Sequence, residues 1–251
     1  SITSSALTDG VHTLSAKATD AAGNISDASS ALSMTVDTIA NPLGLALLSD
    51  TGISDNITSN GEVNISGIEY GAIWGYSLDG GSSFIQGSGA SVTLTGDGYK
   101  FIVVGQSDVA GNVSLEPSVL NFILDTTVPS VPTAPDLDID SDSGTSDRDD
   151  ITRVTTPILT GTAEAGASVQ LFDTDGTELG ITTADGGGAW SITSSALTDG
   201  VHTLSAKATD AAGNTSAASS TLNMTVDTTV PSVPTAPDLA VGSDSGTSST
   251  D

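Results

Sequence analysis

In the run VHTLSAKATDAAGN, His202, Leu204, Ala206 and Ala208 alternate with Val201, Thr203, Ser205 and Lys207. That two-residue period is the mark of a half-buried strand, and here it stops at a Gly-Asn turn. The same signal predicts strands over 157–163, 168–172, 178–183, 189–194 and 219–226. Earlier in the chain Ala72, Trp74, Tyr76 and Leu78 share one face of a strand that ends at the turn Asp79-Gly80-Gly81. No stretch carries a helical period. Seven strands per unit at this spacing, with no helix between them, predict an all-β chain built of Greek-key sandwiches.

The pattern repeats. Ser1 to Asn24 returns unchanged at Ser191 to Asn214, and the match runs on to Asp37 and Asp227 with differences only at Ile25/Thr215, Asp27/Ala217, Ala31/Thr221 and Ser33/Asn223. A second echo pairs DTTVPSVPTAPDL at Asp125 to Leu137 with Asp227 to Leu239. Self-similarity on this scale marks an array of modules, and repetition serves spacing or binding better than it serves an active site. Asp-Thr phrases at Asp37, Asp125 and Asp227 divide the chain into 1–36, 37–124, 125–226 and 227–251. The two complete pieces have 88 and 102 residues, each enough for one small sandwich with its own core. Ser1 aligns with Ser191, deep inside a repeat, and Asp251 with Asp149, early in one. The chain therefore reads as an excerpt of a longer array, with 1–36 the end of one repeat and 227–251 the start of another.

Composition adds an electrostatic constraint. Thirty-one acidic residues face five basic ones, a formal net charge of −26. This argues against nucleic acid and anionic membrane as partners and for cations. Without cysteine there is no disulfide framework and no thiolate metal site, and no apolar run is long enough to insert in a membrane. The low aromatic content and abundant Ser, Thr, Asp and Gly would also suit a disordered chain, but the period-two alternation argues for folded strands.

Calcium takes six to eight oxygen ligands, which turns rich in Asp, Asn and Gly can supply. The densest such run is DLDIDSDSGTSDRDD. Its Asp138, Asp140, Asp142 and Asp149 superficially match an EF-hand loop, but Gly144 comes one residue late, the twelfth position is Asp, and no helix flanks it. Once a gap is allowed, Asp142, Gly144, Ser146 and Asp149 correspond to Asp50, Gly52, Ser54 and Asp55 in the other repeat. The DxAGN turns at Asp20, Asp108 and Asp210 and the Asp-Thr starts at Asp37, Asp125 and Asp227 complete the candidate set. Each alone is equally well a solvated polar turn. In a traced sandwich, however, the last hairpin turn lies at the end where the chain enters, so Asp108 approaches Asp37 and Asp210 approaches Asp125. The candidate metal ligands are therefore Asp37, Asp50, Asp55, Asp108, Asp125, Asp142, Asp149, Asp210 and Asp227, with Asp79 and Asp97 as possible additions. Crowded carboxylates repel, which predicts raised pKa values without a cation and relief with one. The prolines of VPSVPTAP restrict the linker further.

Competing chemistry is sparse. His12 and His202 are one repeated strand position and read as structural, and no GxSxG elbow accompanies the many serines. Trp74, Tyr76 and Phe84, or Trp190, could form a sugar-binding platform, though such aromatics more often fill a core.

TPILTGTAEAGASVQLFD, GAWSITSSALTDGVHTLSAKATDAAGN and the closing TVDTTVP together resemble the bacterial immunoglobulin-like repeat of giant type I secreted, RTX-type adhesins. The unit with DTGISDNIT, GAIWGYSLDGG and QSDVAGNVS resembles a second variety from those proteins. The resemblance implies tandem Ig-like sandwiches arranged end to end, non-enzymatic extender modules, calcium at or near the domain junctions, and a location outside the cell on the bacterial surface. It also implies a monomeric segment whose protein partners are its own neighbouring repeats, in service of adhesion or biofilm formation. Direct glycan binding by the modules is the alternative.

Overall fold

A computed structural model of the chain describes residues 3–114 and 116–237, and among these every regular element is a strand. No helix there is long and apolar enough to cross a membrane. The chain divides into two compact units. The first holds the described residues up to Val131 with Glu164–Ser168 and Ala208–Ala217, and the second holds Pro132–Ala163, Val169–Lys207 and the described residues from Ala218 on.

In the first unit β1 (Gly10–Leu14) and β2 (Leu32–Val36) pair as an antiparallel ribbon with His12 opposite Met34. Two sheets follow. One has the order β3 (Gly44–Leu47), β5 (Glu62–Ser66), β8 (Ser91–Thr93), and the other has β4 (Ile57–Thr58), β10 (Ser118–Leu124), β9 (Gly98–Ser107), β6 (Ile73–Ser77), β7 (Ile85–Gln86). Val63 and Ile65 from the first sheet and Trp74, Ile102, Val104, Phe122 and Leu124 from the second form one buried core.

The strands from Asp136 onward repeat this plan. A three-stranded sheet runs β11 (Asp136–Leu137), β13 (Ile158–Thr162), β16 (Ala189–Thr193). A five-stranded sheet runs β12 (Ile151–Thr152), β18 (Leu222–Val226), β17 (Gly200–Thr209), β14 (Ser168–Phe172), β15 (Glu178–Thr183). Leu159, Trp190 and Ile192 meet Val169, Leu171, Leu204, Met224 and Val226 in its core. Each large side chain buried here would be worth roughly 1.5–3 kcal/mol relative to exposure. The alternation over Leu204, Ala206 and Ala208 is as the sequence predicts, with all three at 0 % exposure.

Three details differ from expectation. Each sandwich has eight strands rather than seven, because the opening strand is split. Its first half (β3, β11) joins one sheet, a loop follows, and its second half (β4, β12) joins the other sheet parallel to the last strand. The strand predicted over 219–226 begins only at Leu222. Ser219 bonds Ala206 through both its amide and its hydroxyl, at 2.8 and 3.0 Å, and so interrupts the regular ladder. The shared face of Ala72, Trp74, Tyr76 and Leu78 breaks at its end, where Leu78 is 52 % exposed and Ser77 is buried. The Ser77 hydroxyl organises the turn instead, accepting from Gly81 N at 2.8 Å and donating to Asp79 at 2.7 Å.

Candidate metal centre

The DxAGN turn closes on the same backbone and asparagine bonds at each copy. The Asp108 backbone N–H donates to the Asn112 carbonyl at 3.0 Å, while its Oδ1 accepts from Ala110 N at 2.8 Å and Asn112 N at 2.9 Å. Its Oδ2 accepts from the Asn112 side chain at 2.7 Å. The glycine takes the left-handed conformation that this closure needs, with φ of 88°, 92° and 84° at Gly23, Gly111 and Gly213. These bonds favour the charged form of Asp108. The Asn112 side-chain amide is the largest influence, burial opposes it, and the backbone N–H groups of Asn112, Ala110 and Gly111 add to it, leaving the pKa below the ordinary carboxylate range. Asp20 is lowered as well, chiefly by Asn24. The expectation that crowding would raise these pKa values is therefore corrected: at Asp20 and Asp108 donated hydrogen bonds outweigh it.

The turn also reaches the start of its own repeat. Asn112 donates its amide to the Asp37 carbonyl at 2.9 Å, and Asn214 donates to the Asp125 carbonyl at 2.8 Å. Asp37 and Asp108 thus meet, and Glu69, from the loop before β6, joins them. One carboxylate oxygen from each of the three lies within 4.8 Å of the others. Glu69 is held in place, its Oε1 accepting from the backbone and side chain of Asn41, both at 2.7 Å. Among the described residues no Lys or Arg pairs with this triad, since the ion pairs are Arg148 with Asp147 and His202 with Asp173. Three oxygen donors with no neutralising side chain fit a hard cation such as calcium. The matching residues Asp125, Glu164 and Asp210 line one cavity of the first unit together with Ile57 and Ile123.

Glu69 and Glu164 lie outside the set expected from sequence. Their signal was the short echo Glu69-x-Gly71-Ala72 and Glu164-x-Gly166-Ala167, which aligns the two unlike repeats.

The Asp-Thr starts, Asp37 of the triad among them, close local turns, and Asp50, Asp55, Asp142 and Asp149 lie outside the triad. Asp37, Asp125 and Asp227 each accept the backbone N–H two residues on, from Ile39 at 3.3 Å, Thr127 at 3.0 Å and Thr229 at 2.9 Å. Asp50 and Asp142 sit at matching loop positions and accept from Asn56 N at 3.1 Å and Asp150 N at 3.3 Å. Asp55 and Asp149 accept from Ile57 N at 2.9 Å and Ile151 N at 3.3 Å. Asp150 is pushed above the ordinary carboxylate range, first by burial and then by the charges of Asp142, Asp136 and Asp149. Asp79 closes its own turn on Ser83, accepting from its amide at 2.9 Å and its hydroxyl at 2.6 Å.

Asp97 clasps the linker, accepting from Thr126 N at 3.0 Å and from the hydroxyls of Thr126 and Thr127, both at 2.7 Å. Asp9 with Thr38 and Asp199 with Thr228 repeat the clasp at the same 29-residue spacing. The Asp-Thr phrase that punctuates the sequence is thus a fastening point.

Trp74 and Trp190 are 5 % and 4 % exposed and belong to the two cores, so neither offers the open ring face that a sugar platform needs.

The bacterial Ig-like domain family matches residues 1–38 and 127–228. No curated protein matches the chain. Among solved structures, a tetra-tandem repeat from the extending region of a large adhesion protein is similar at 22 % identity and a TM-score of 0.31, over 88 % of this chain and 58 % of that one. A Ca2+-stabilised adhesin that helps an Antarctic bacterium reach out and bind ice is similar at 23 % identity and a TM-score of 0.35, over 86 % and 57 %. The chain thus spans less than three fifths of either. A third structure, concerned with host cell surface retention of a 1.5-MDa bacterial ice-binding adhesin, is similar at 20 % identity and a TM-score of 0.31, over 87 % and 74 %. The family match covers more than half of an all-β chain whose two cores repeat one plan of three-stranded and five-stranded sheets, and the chain belongs to the bacterial Ig-like domain family.

Proposed function

We propose that this chain is a non-enzymatic extender segment of a bacterial surface adhesin, outside the cell, whose repeats hold a distant ligand-binding domain away from the surface. The observation that carries the reading is that matching carboxylates recur at successive repeat starts: Asp37, Glu69 and Asp108 draw within 4.8 Å of one another, and Asp125, Glu164 and Asp210 line one cavity. An enzyme gains nothing from duplicating such a set without a nucleophile or base beside it. A tethered array gains stiffness each time a cation fastens a junction.

Calcium supplies charge neutralisation when bound. Asp37, Glu69 and Asp108 would hold it at one start and Asp125, Glu164 and Asp210 at the next. Asp227 takes the corresponding role at the third, and Asp50 and Asp55 are further oxygen donors of the same kind. The Asn112 and Asn214 amides hold the turn against the repeat start. A site with a hundredfold excess of calcium over its dissociation constant would add about 2.7 kcal/mol to stability. The segment works as a monomer, with its own neighbouring repeats as its protein partners.

Small-angle scattering and thermal unfolding with calcium and with chelator test this reading. Calcium is expected to raise the melting temperature and make the chain more extended, and Asp37→Asn with Asp108→Asn is expected to remove part of both effects. Identical melting and scattering curves under the two conditions would overturn it.

A further inference from the structure

The outer face of the five-stranded sheet differs between the two sandwiches. In the first, Trp74 and Tyr76 of β6 and Ile102 and Val104 of β9 turn toward the core, so Ile73, Gly75, Gly105 and Ser107 point away from it. They pair in two adjacent rows, Gly75 with Gly105 and Ile73 with Ser107, and Gln86 of β7 extends the glycine row. The aligned positions of the second sandwich are Ser168, Gln170, Lys207 and Thr209. There the long side chains find partners on the sheet itself. Gln170 donates to Glu178 at 2.8 Å, and the Lys207 ammonium stands 5.7 Å from the centre of the Phe172 ring.

The first sandwich leaves that space open. A groove of about 450 Å³ has Gly75 and Gly105 as its floor and Ile73, Phe84 and Val113 as its walls, and these three side chains are 62 %, 53 % and 63 % exposed. Packing accounts for one of the two glycines, since a Cβ at Gly75 would lie 3.0 Å from the Ile85 carbonyl oxygen. At Gly105 a Cβ would meet only the Ser114 hydroxyl, at an ordinary 3.4 Å, and the backbone there is not left-handed. A strand glycine that neither packing nor backbone demands often marks a place where a ligand approaches the sheet closely. No charged side chain lines the groove, although the chain has 31 acidic residues and a net charge of −26. That field repels an anion and a second copy of the chain alike, and a cation has carboxylates to prefer elsewhere, so the occupant that fits is neutral. Two of the polar liners are already engaged: Gln106 donates to the Asn41 and Gly67 carbonyls at 2.8 and 3.2 Å, and Ser114 Oγ accepts from Gln106 N at 3.1 Å. Gln86 and Ser107 are left to meet a ligand.

We propose that this groove binds a neutral glycan, with one sugar ring on the glycine floor, its C–H face against Phe84 and Ile73 and its hydroxyls bonded to Gln86 and Ser107. A sugar is uncharged, apolar on one face and rich in hydroxyls at its edge. An exposed aromatic ring, aliphatic walls, one amide and one hydroxyl select that combination. The activity goes beyond spacing, because a repeat of this variety would itself grip a glycan while holding a distant domain away from the surface. It belongs to this variety alone: the 1–36 and 125–226 pieces carry Lys17 and Lys207 at the position of Gly105. It is also separate from the calcium reading, since no carboxylate lines the groove.

The test uses the full chain and an array of neutral oligosaccharides built from glucose, galactose, mannose and N-acetylglucosamine. At least one should bind saturably, and its affinity should hold at raised salt because no charge takes part. Titrating that oligosaccharide should shift the amide resonances of Ile73, Gly75 and Gly105. Gly105→Lys copies the residue of the aligned repeat, so the fold is expected to persist while binding is lost. Phe84→Ala should weaken binding about tenfold, the loss of one stacked ring, and should melt near the parent because Phe84 is exposed. No saturable binding on the array, or binding that survives both substitutions, would overturn the proposal. Self-association of the parent that Gly105→Lys removes would overturn it too, by making the groove an interface between copies. None of these measurements reads the effect of calcium on melting or scattering, so a failure here is distinguishable from a failure of the extender reading.

Discussion

The side-chain amide of Asn214 donates to the backbone carbonyl of Asp125 at 2.8 Å, joining the DxAGN turn to an Asp-Thr phrase across 89 positions of chain. Asn112 makes the twin bond to Asp37 and also donates to Asp108. Removing the amide leaves a carbonyl and a carboxylate oxygen without their donor. Asn112→Ala is therefore expected to destabilise the first sandwich by about 1–3 kcal/mol, measured by chemical denaturation. Asn112→Asp should be at least as harmful, since it adds a fourth carboxylate beside Asp37, Glu69 and Asp108.

A second prediction concerns packing. Gly161 faces Trp190 across β13 and β16, and a Cβ added at Gly161 would lie 2.5 Å from the indole ring and 2.9 Å from the Thr133 hydroxyl. Gly161→Ala should cost about 1–3 kcal/mol by overpacking. Its thermal unfolding should shift down, with near-ultraviolet circular dichroism reporting a displaced tryptophan.

Much of this was legible in the sequence, because period-two alternation and turn chemistry are local. The strand through Ala208, the DxAGN turn and the approach of Asp108 to Asp37 all follow from residues near one another or from the topology that the strands imply. Glu69 was not legible in the same way. It lies 32 residues from Asp37, in the loop that carries the chain from β5 in one sheet to β6 in the other, and its only cue is a short echo around Glu164. The Asp97 clasp was missed for the same reason, although Asp9, Asp97 and Asp199 each precede a glycine at a strand start and stand 29 residues before a threonine. The lowered pKa of Asp108 was missed because charge counting sees neighbouring carboxylates and not the N–H groups aimed at them.

His202 gives a pH-dependent prediction. Its Nδ1 lies 2.7 Å from Asp173 Oδ2 and its Nε2 lies 2.9 Å from the Thr198 carbonyl. Both partners are acceptors, so the ring is best satisfied with a proton on each nitrogen. Burial pulls its pKa down, but the bonds to Asp173 and Thr198 and the charge of Asp173 outweigh it, and the net shift is upward. A raised pKa stabilises the folded state fully below the unfolded value of about 6.5 and loses that contribution as pH rises through the folded value. Melting of the parent should therefore fall over that rise relative to Asp173→Asn. Ring-proton NMR should place the His202 titration higher in the parent than in the variant.

The clasp on the linker gives the last prediction, of opposite sign. Asp97 accepts three hydrogen bonds from Thr126 and Thr127, and its pKa is lowered, most by the Thr127 hydroxyl and next by Thr126. Asp199 is lowered in the same way by Thr228 and Thr229. A lowered carboxylate pKa contributes stability above its unfolded value of about 3.9 and loses it as pH falls through the folded value. At neutral pH the Asp-Thr start is therefore fastened, and acid should release it before the cores are lost. Hydrogen exchange at the Thr126 amide reads this directly. Asp97→Ala should speed exchange there at neutral pH while leaving core amides such as Ile102 and Val104 protected. Asp97→Asn should sit between the two, because its amide oxygen still accepts but carries no charge. If Thr126 exchanges at the parental rate in Asp97→Ala, the carboxylate does not hold the linker, and the recurrence of the 29-residue spacing would have to reflect sheet geometry alone.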